Sequence, residues 1–232
     1  MIDFLGFTAA LFLTVTMISS IAIYASGTPQ SRIAAACVPA VWSGFAAGCA
    51  SAGLTSRSQP FPLIGLFVLT PLIVAAIVFA QRSVREKFSL VPLALLIGLN
   101  AGRIFAVLFL ALESAGRLAG PFPFYAGWGD IVTGILAIPL AVAVTRPRPS
   151  NGLWNLVILW NLFGIADLVN AIFLGVTSSV GSPLEIFHYP PGSAAMQYLP
   201  FSLIPTVLVP FYLIIHAAIW VRARKEMSAI AA

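Results

Sequence analysis

Charge is what this 232-residue sequence has least of: 8% of its residues are Asp, Glu, Lys or Arg, while 60% are hydrophobic. Soluble domains carry about 25% charged residues, so a water-soluble globule is excluded. Lysine is almost missing. Lys87 and Lys225 both fall outside the apolar stretches, which rules out the intramembrane Schiff base of a retinal pigment. Of the two histidines, His188 lies in a polar connection and only His216 within an apolar stretch, so haem held between two helical histidines lacks a ligand. Cys37 and Cys49 lie twelve residues apart on one expected helix, about 18 Å along its axis and too far for a disulfide. There is no metal-ligand cluster and no phosphate-binding glycine loop with a lysine. No cofactor and no metal are expected.

What remains is apolar sequence in long runs. Crossing a bilayer takes about 20 helical residues, and seven stretches meet that demand: 4–26, 33–53, 61–80, 89–112, 124–145, 153–176 and 198–221. The chain reads as a single all-α membrane domain over 1–232, a polytopic bundle of about seven helices. Asp3 stands where a signal peptide would carry basic residues, so the first stretch is read as a retained span.

The second stretch is small rather than bulky, with Ala36, Ala40, Gly44, Gly48 and Ala52 at every fourth position. Such a stripe lets helices approach closely. It predicts a place inside the bundle, or a partner helix docked through Gly44 and Gly48.

Basic residues test the topology. Arg32, then Arg82, Arg85 and Lys87, then Arg146 and Arg148, then Arg222, Arg224 and Lys225 fall on one side of a seven-helix chain; Arg57 and Arg117 fall on the other. The positive-inside rule puts the C-terminus in the cytoplasm and the N-terminus outside. Because these residues flank apolar segments, the net charge of +5 reflects orientation in a lipid bilayer and implies no nucleic acid.

The 177–198 connection, with Glu185, His188 and Pro190-Pro191, then lies outside. It reads equally as the cap of a cavity or as a plain connection. Pro200, Pro205 and Pro210 crowd the last span, and carbonyls freed by proline need protein or water partners.

Four ionisable groups fall inside the spans: Arg103, Asp130, Asp167 and His216. An Asp or Arg at the bilayer centre costs about 2.5–3.5 kcal/mol or more unless paired or wetted, so these side chains must face the bundle interior. At 1.5 Å per residue, Arg103 and Asp167 lie about 13 Å and Asp130 about 9 Å from the outer ends of their helices. They sit on consecutive spans, which tend to be neighbours.

Asn100 shares a face with Arg103, and Asn170 one with Asp167. One cation against two carboxyls in a low dielectric favours a protonated Asp or a bound cation. The cluster reads either as an ion pair that fixes helix order or as a pocket for a small solute, cation or proton. His216, Asn161 and Glu113 are lesser candidates, His216 chiefly as a hydrogen-bonded structural residue.

Gly127-Trp128-Gly129-Asp130 resembles the Gly-x-Gly-Asp motif of the intramembrane aspartyl proteases, the presenilin and prepilin-peptidase group. That resemblance implies a catalytic pair of Asp130 and Asp167 sharing a proton. In those families the Gly-x-Gly-Asp aspartate follows its partner, whereas here it comes first, and no Pro-Ala-Leu sequence occurs near the C-terminus. "GWGDIVTGI" and "GIADLVNAI" also share Gly-x-x-Asp at an offset of 37 residues, an internal repeat or a coincidence of membrane composition. Residues 89–220 as a whole resemble a group of small bacterial multi-pass inner-membrane proteins. This similarity implies a bacterial inner-membrane setting and supplies no activity.

Overall fold

The structure is a computed structural model that describes residues 1–24, 28–57, 63–88, 90–146 and 150–231. Every regular element among these residues is helical: α1 (Ile2–Tyr24), α2 (Pro29–Ser51), α3 (Ile64–Ala80), the short α4 (Arg82–Phe88), α5 (Leu93–Ser114), α6 (Pro121–Ala143), α7 (Asn151–Thr177) and α8, which begins at Ile204 and runs to Ala231. Six of them, α1, α2, α5, α6, α7 and α8, are long and apolar enough to cross a membrane. The third expected span is shorter, 17 residues from Ile64. Residues 25, 26, 61, 62 and 89 of the expected spans, and Arg148 of the charge count, lie outside the described residues.

The helices start where local chemistry stops the preceding turn. Thr28 accepts a hydrogen bond from the Ser31 amide and Pro29 opens α2; Ser150 does the same for Leu153 at the start of α7. Both are N-cap arrangements that satisfy amides left without helical partners. Outward faces are as apolar as the interior, with Phe12, Ile33, Val41, Ile77, Leu159 and Phe173 among many exposed large side chains. Helices hydrophobic all round belong in lipid. The protein is accordingly a membrane protein.

Two apolar layers fill the bundle. Met17, Leu96, Ile97, Val157, Ile215 and Ile219 form one; Phe109, Leu112, Leu118, Phe122, Met196 and Phe201 form the other, under the 178–203 connection. Between the two lies a polar layer that contains the charged groups.

The end beneath that connection is tied by Arg117 to Asp3 at 2.7 Å, by the Thr55 hydroxyl donating to the Gln197 carbonyl at 2.6 Å, and by the Ala119 amide donating to the Gly192 carbonyl at 3.0 Å.

Two expectations are corrected. The small-residue stripe does not put α2 inside the bundle: Ala40, Gly44, Gly48 and Ala52 are exposed, and only Ala46 and Ala50 of α2 are buried. The reason is that α2 packs on α1 and α8 through its opposite face, where Trp42 carries the bulk. The last span, expected from residue 198, begins at Ile204 and continues through Met227, so Pro200 lies in the preceding turn.

Pro205 instead lies within a π-helical segment, Ile204–Leu208, and Pro210 follows that segment. Lacking an amide, Pro210 cannot bond the Thr206 carbonyl one helical turn back. The indole of Trp42 donates to that carbonyl at 2.9 Å and satisfies it.

Candidate functional site

Arg103 sits at the centre of a 3-10 segment, Asn100–Ala106, inside α5. Runs of 3-10 helix beyond three or four residues are uncommon, and a mid-helix stretch often marks a functional position. Seven residues at the longer 3-10 rise extend the helix by about 3.5 Å.

The guanidinium so placed is the hub of the polar layer. Its Nε donates to Asp130 Oδ1 on α6 at 2.5 Å, and its Nη2 to Asp167 Oδ2 on α7 at 2.6 Å. Nη1 donates to the Gly164 carbonyl at 3.3 Å and meets His216 Nε2 on α8 at 3.0 Å. Tyr212 covers one face, its ring centroid 5.7 Å from Cζ. The Arg103 side chain is wholly enclosed.

The histidine tautomer follows from this network. Guanidinium nitrogens only donate, so His216 Nε2 accepts and the proton is on Nδ1. Nδ1 then donates to Asn161 Oδ1 at 2.8 Å, while Asn161 Nδ2 returns a bond to the His216 carbonyl at 3.2 Å. Trp160 packs its ring 5.4 Å from the imidazole and donates to the Thr133 carbonyl at 3.0 Å. His216→Leu is expected to cost about 1–3 kcal/mol, the range for stranding buried polar partners, because Arg103 loses an acceptor and Asn161 a donor. Thermal unfolding in detergent measures it.

Two glycines make this density of polar groups possible. A Cβ at Gly129 would collide with the Asp167 carboxylate, and one at Gly164 with the His216 ring and, at 3.1 Å, with Arg103 Nη1. The second glycine of the Gly-x-Gly-Asp stretch is therefore the notch that receives the other aspartate.

The structure brings together Arg103, Asp130, Asp167, His216 and Asn161. Asn100 is also buried beside them, its Nδ2 donating to the Leu96 carbonyl at 3.1 Å and its Oδ1 without a partner among the described residues. Asn170 and Glu113 are not part of the cluster: both are exposed. Asn170, three residues beyond Asp167, turns with the helix on to the outer surface.

His216, expected toward the inner end of its helix, lies at the depth of Arg103 because α8 begins later and ends later than the expected span. Sequence reasoning missed Tyr212, Trp160 and Gly164. The available signal was spacing, since Tyr212 is four residues from His216 and Gly164 three from Asp167, each pair on one helix face.

Asp130 also lines a cavity of about 320 Å³. Ile64, Val68 and Leu69 of α3, Phe122 of α6, Ala171 and Ile172 of α7, and Ile204 and Pro205 of the π segment supply its walls. Ser193, Met196 and Gln197 of the 178–203 connection line it as well. Asp130 Oδ1 is taken by Arg103; among the described residues Oδ2 has no hydrogen-bond partner. A second cavity of about 40 Å³ lies on the α1 side, between Arg103, Asp130, Tyr212 and Leu13. Asp130 thus borders both.

No curated protein and no solved structure matches the chain. A family model does match, over residues 60–224, a segment that holds Arg103, Asp130, Asp167, His216 and the cavity's walls while leaving α1 and α2 outside. With most of its length covered, the chain belongs to the family described as Domain of unknown function (DUF8737).

Proposed function

We propose that this integral membrane protein binds, and moves, a small solute, cation or proton at the Arg103, Asp130 and Asp167 layer. The observation that supports the reading is the double role of Asp130, ion-paired to a buried arginine on one side and lining a cavity on the other. One guanidinium faces two carboxylates, so with both ionised the layer carries a surplus negative charge. A proton or a cationic occupant balances it.

The basic residues at the helix ends orient the chain with its N-terminus outside and its C-terminus cytoplasmic, in a bacterial inner membrane. The 178–203 connection then caps the cavity from the outside. Asp130 and Asp167 are the binding groups, Arg103 holds them, and the π segment of α8 is the mobile wall. Asn161 and His216 orient the guanidinium.

An aspartyl-protease reading gains nothing from the geometry. That chemistry needs two carboxyls facing one shared proton and a water, and here each carboxylate accepts its own guanidinium N–H. A second reading, an assembly subunit, is favoured by the exposed Gly44 and Gly48, which have open space over them.

Proteoliposomes decide between the two. Proton- or cation-dependent flux that is lost in Asp130→Asn and Asp167→Asn, with the fold intact, is the expected result. Parental behaviour of both variants, together with loss of an assembled complex in Gly44→Leu/Gly48→Leu, would establish the assembly role instead.

A further inference from the structure

We infer that the cavity beside Asp130 takes a lipophilic amine in its protonated form, admitted sideways from the bilayer; this rests on the reading of that cavity as the binding site. Size argues first. About 320 Å³ falls at the lower end of small-molecule sites, roughly 300–1,000 Å³, and far exceeds what a bare ion needs.

The wall chemistry argues next. Phe109, Phe122, Ile172, Met196 and Val209 surround the space, and among the described residues Asp130 is its one ionisable lining residue. A metal cation entering here would exchange its hydration shell for a single carboxylate, whereas calcium and magnesium sites supply six or more oxygens. Among the described residues no group of three His, Cys, Asp or Glu side chains is placed to hold a metal.

An anion fares worse. Among the described residues Arg103 is the only cation in the layer, its side chain is enclosed, and its hydrogen bonds are directed at Asp130, Asp167, His216 and Gly164. An ammonium N–H, by contrast, finds an acceptor in Asp130 Oδ2. That residue is nine-tenths buried and lines the cavity. The hydrocarbon body of such a ligand matches the rest of the wall.

Access argues last. Leu66 and Leu69 on α3 and Leu184 in the connection line the cavity, yet they are also about half exposed. They mark a mouth on the same apolar exterior that faces lipid. Gln197 Nε2 and the Ser179 hydroxyl, in that connection, are bonded to each other at 2.7 Å and place no charge in the path.

The test is equilibrium binding of radiolabelled N,N-dimethyldecylamine to the full-length protein in phosphatidylcholine nanodiscs, with empty discs as the blank. Decanol and decanoate, of equal chain length, serve as neutral and anionic counterparts. Saturable amine binding is expected, at least tenfold weaker in Asp130→Asn and abolished in Ala171→Trp, which fills the cavity and leaves the ion pairs in place. Decanol and decanoate should bind at least tenfold more weakly than the amine.

Amine binding that survives Asp130→Asn, or decanol binding as tight as the amine's, overturns the inference. If the amine does not bind while Asp130→Asn still abolishes proton- or cation-dependent flux, this inference falls and the broader reading stands. Absence of both brings down the two together.

Discussion

Arg103→Met is expected to destabilise the protein by about 3–5 kcal/mol, the cost of removing one partner from a buried ion pair. The effect is large because, among the described residues, the guanidinium is the only cation within reach of Asp130 and Asp167, which it holds at 2.5 and 2.6 Å. Without it, two carboxyls remain in the middle of the bundle with no counter-charge. The bonds to Gly164 and His216 go with it.

Reversible unfolding in mixed micelles gives the number. A companion variant tests the cause: Arg103→Met/Asp130→Asn/Asp167→Asn removes every charge from the layer and should recover most of the loss, because a buried ion cluster is often no more stable than a neutral replacement of similar volume. A single variant as stable as the parent would mean that the layer is wetted well enough to need no arginine.

Gly129→Ala should cost about 2–4 kcal/mol, although alanine is the better helix former by about 1 kcal/mol. The opposing effect wins because the added methyl occupies the space of the Asp167 carboxylate. Asp167 must then leave the notch and give up its bond to Arg103, which brings back much of the penalty for an unpaired buried charge. Gly127→Ala, whose Cβ would meet Leu110 at 3.3 Å, is the control, since an aliphatic side chain can yield by a few tenths of an ångström. Equal stability of the two variants, measured by thermal unfolding in detergent, would show that helix spacing and not the carboxylate notch is what glycine provides here.

Much of this was readable from residue types. Arg103, Asp130 and Asp167 stand out because charge inside an apolar span demands a partner, and the only partners at similar depth are one another. The two Gly-x-x-Asp segments turn out to deliver both aspartates to one guanidinium.

Spacing alone could not locate α2, because an alanine and glycine stripe is compatible either with an inner helix or with an outer one that turns its small face to lipid. The bulk of Trp42 decided it. Nor could it place His216, whose depth depends on where a proline-interrupted helix begins. The cavity was the least legible feature, since it arises from α3, α5, α6, α7, α8 and a loop together. No local pattern encodes a space.

The bond from Trp42 to the Thr206 carbonyl has a mechanical consequence. Ile204 and Pro205, on the same π-helical turn, form part of the cavity wall, so the indole makes α2 a lever on that wall. Linkage is reciprocal: any occupant that displaces the turn alters the free energy with which α2 seats against α8, and any load on α2 alters affinity in the cavity by the same factor. A helix outside the family-matched segment thereby gains a thermodynamic hold on a site to which it contributes no charge.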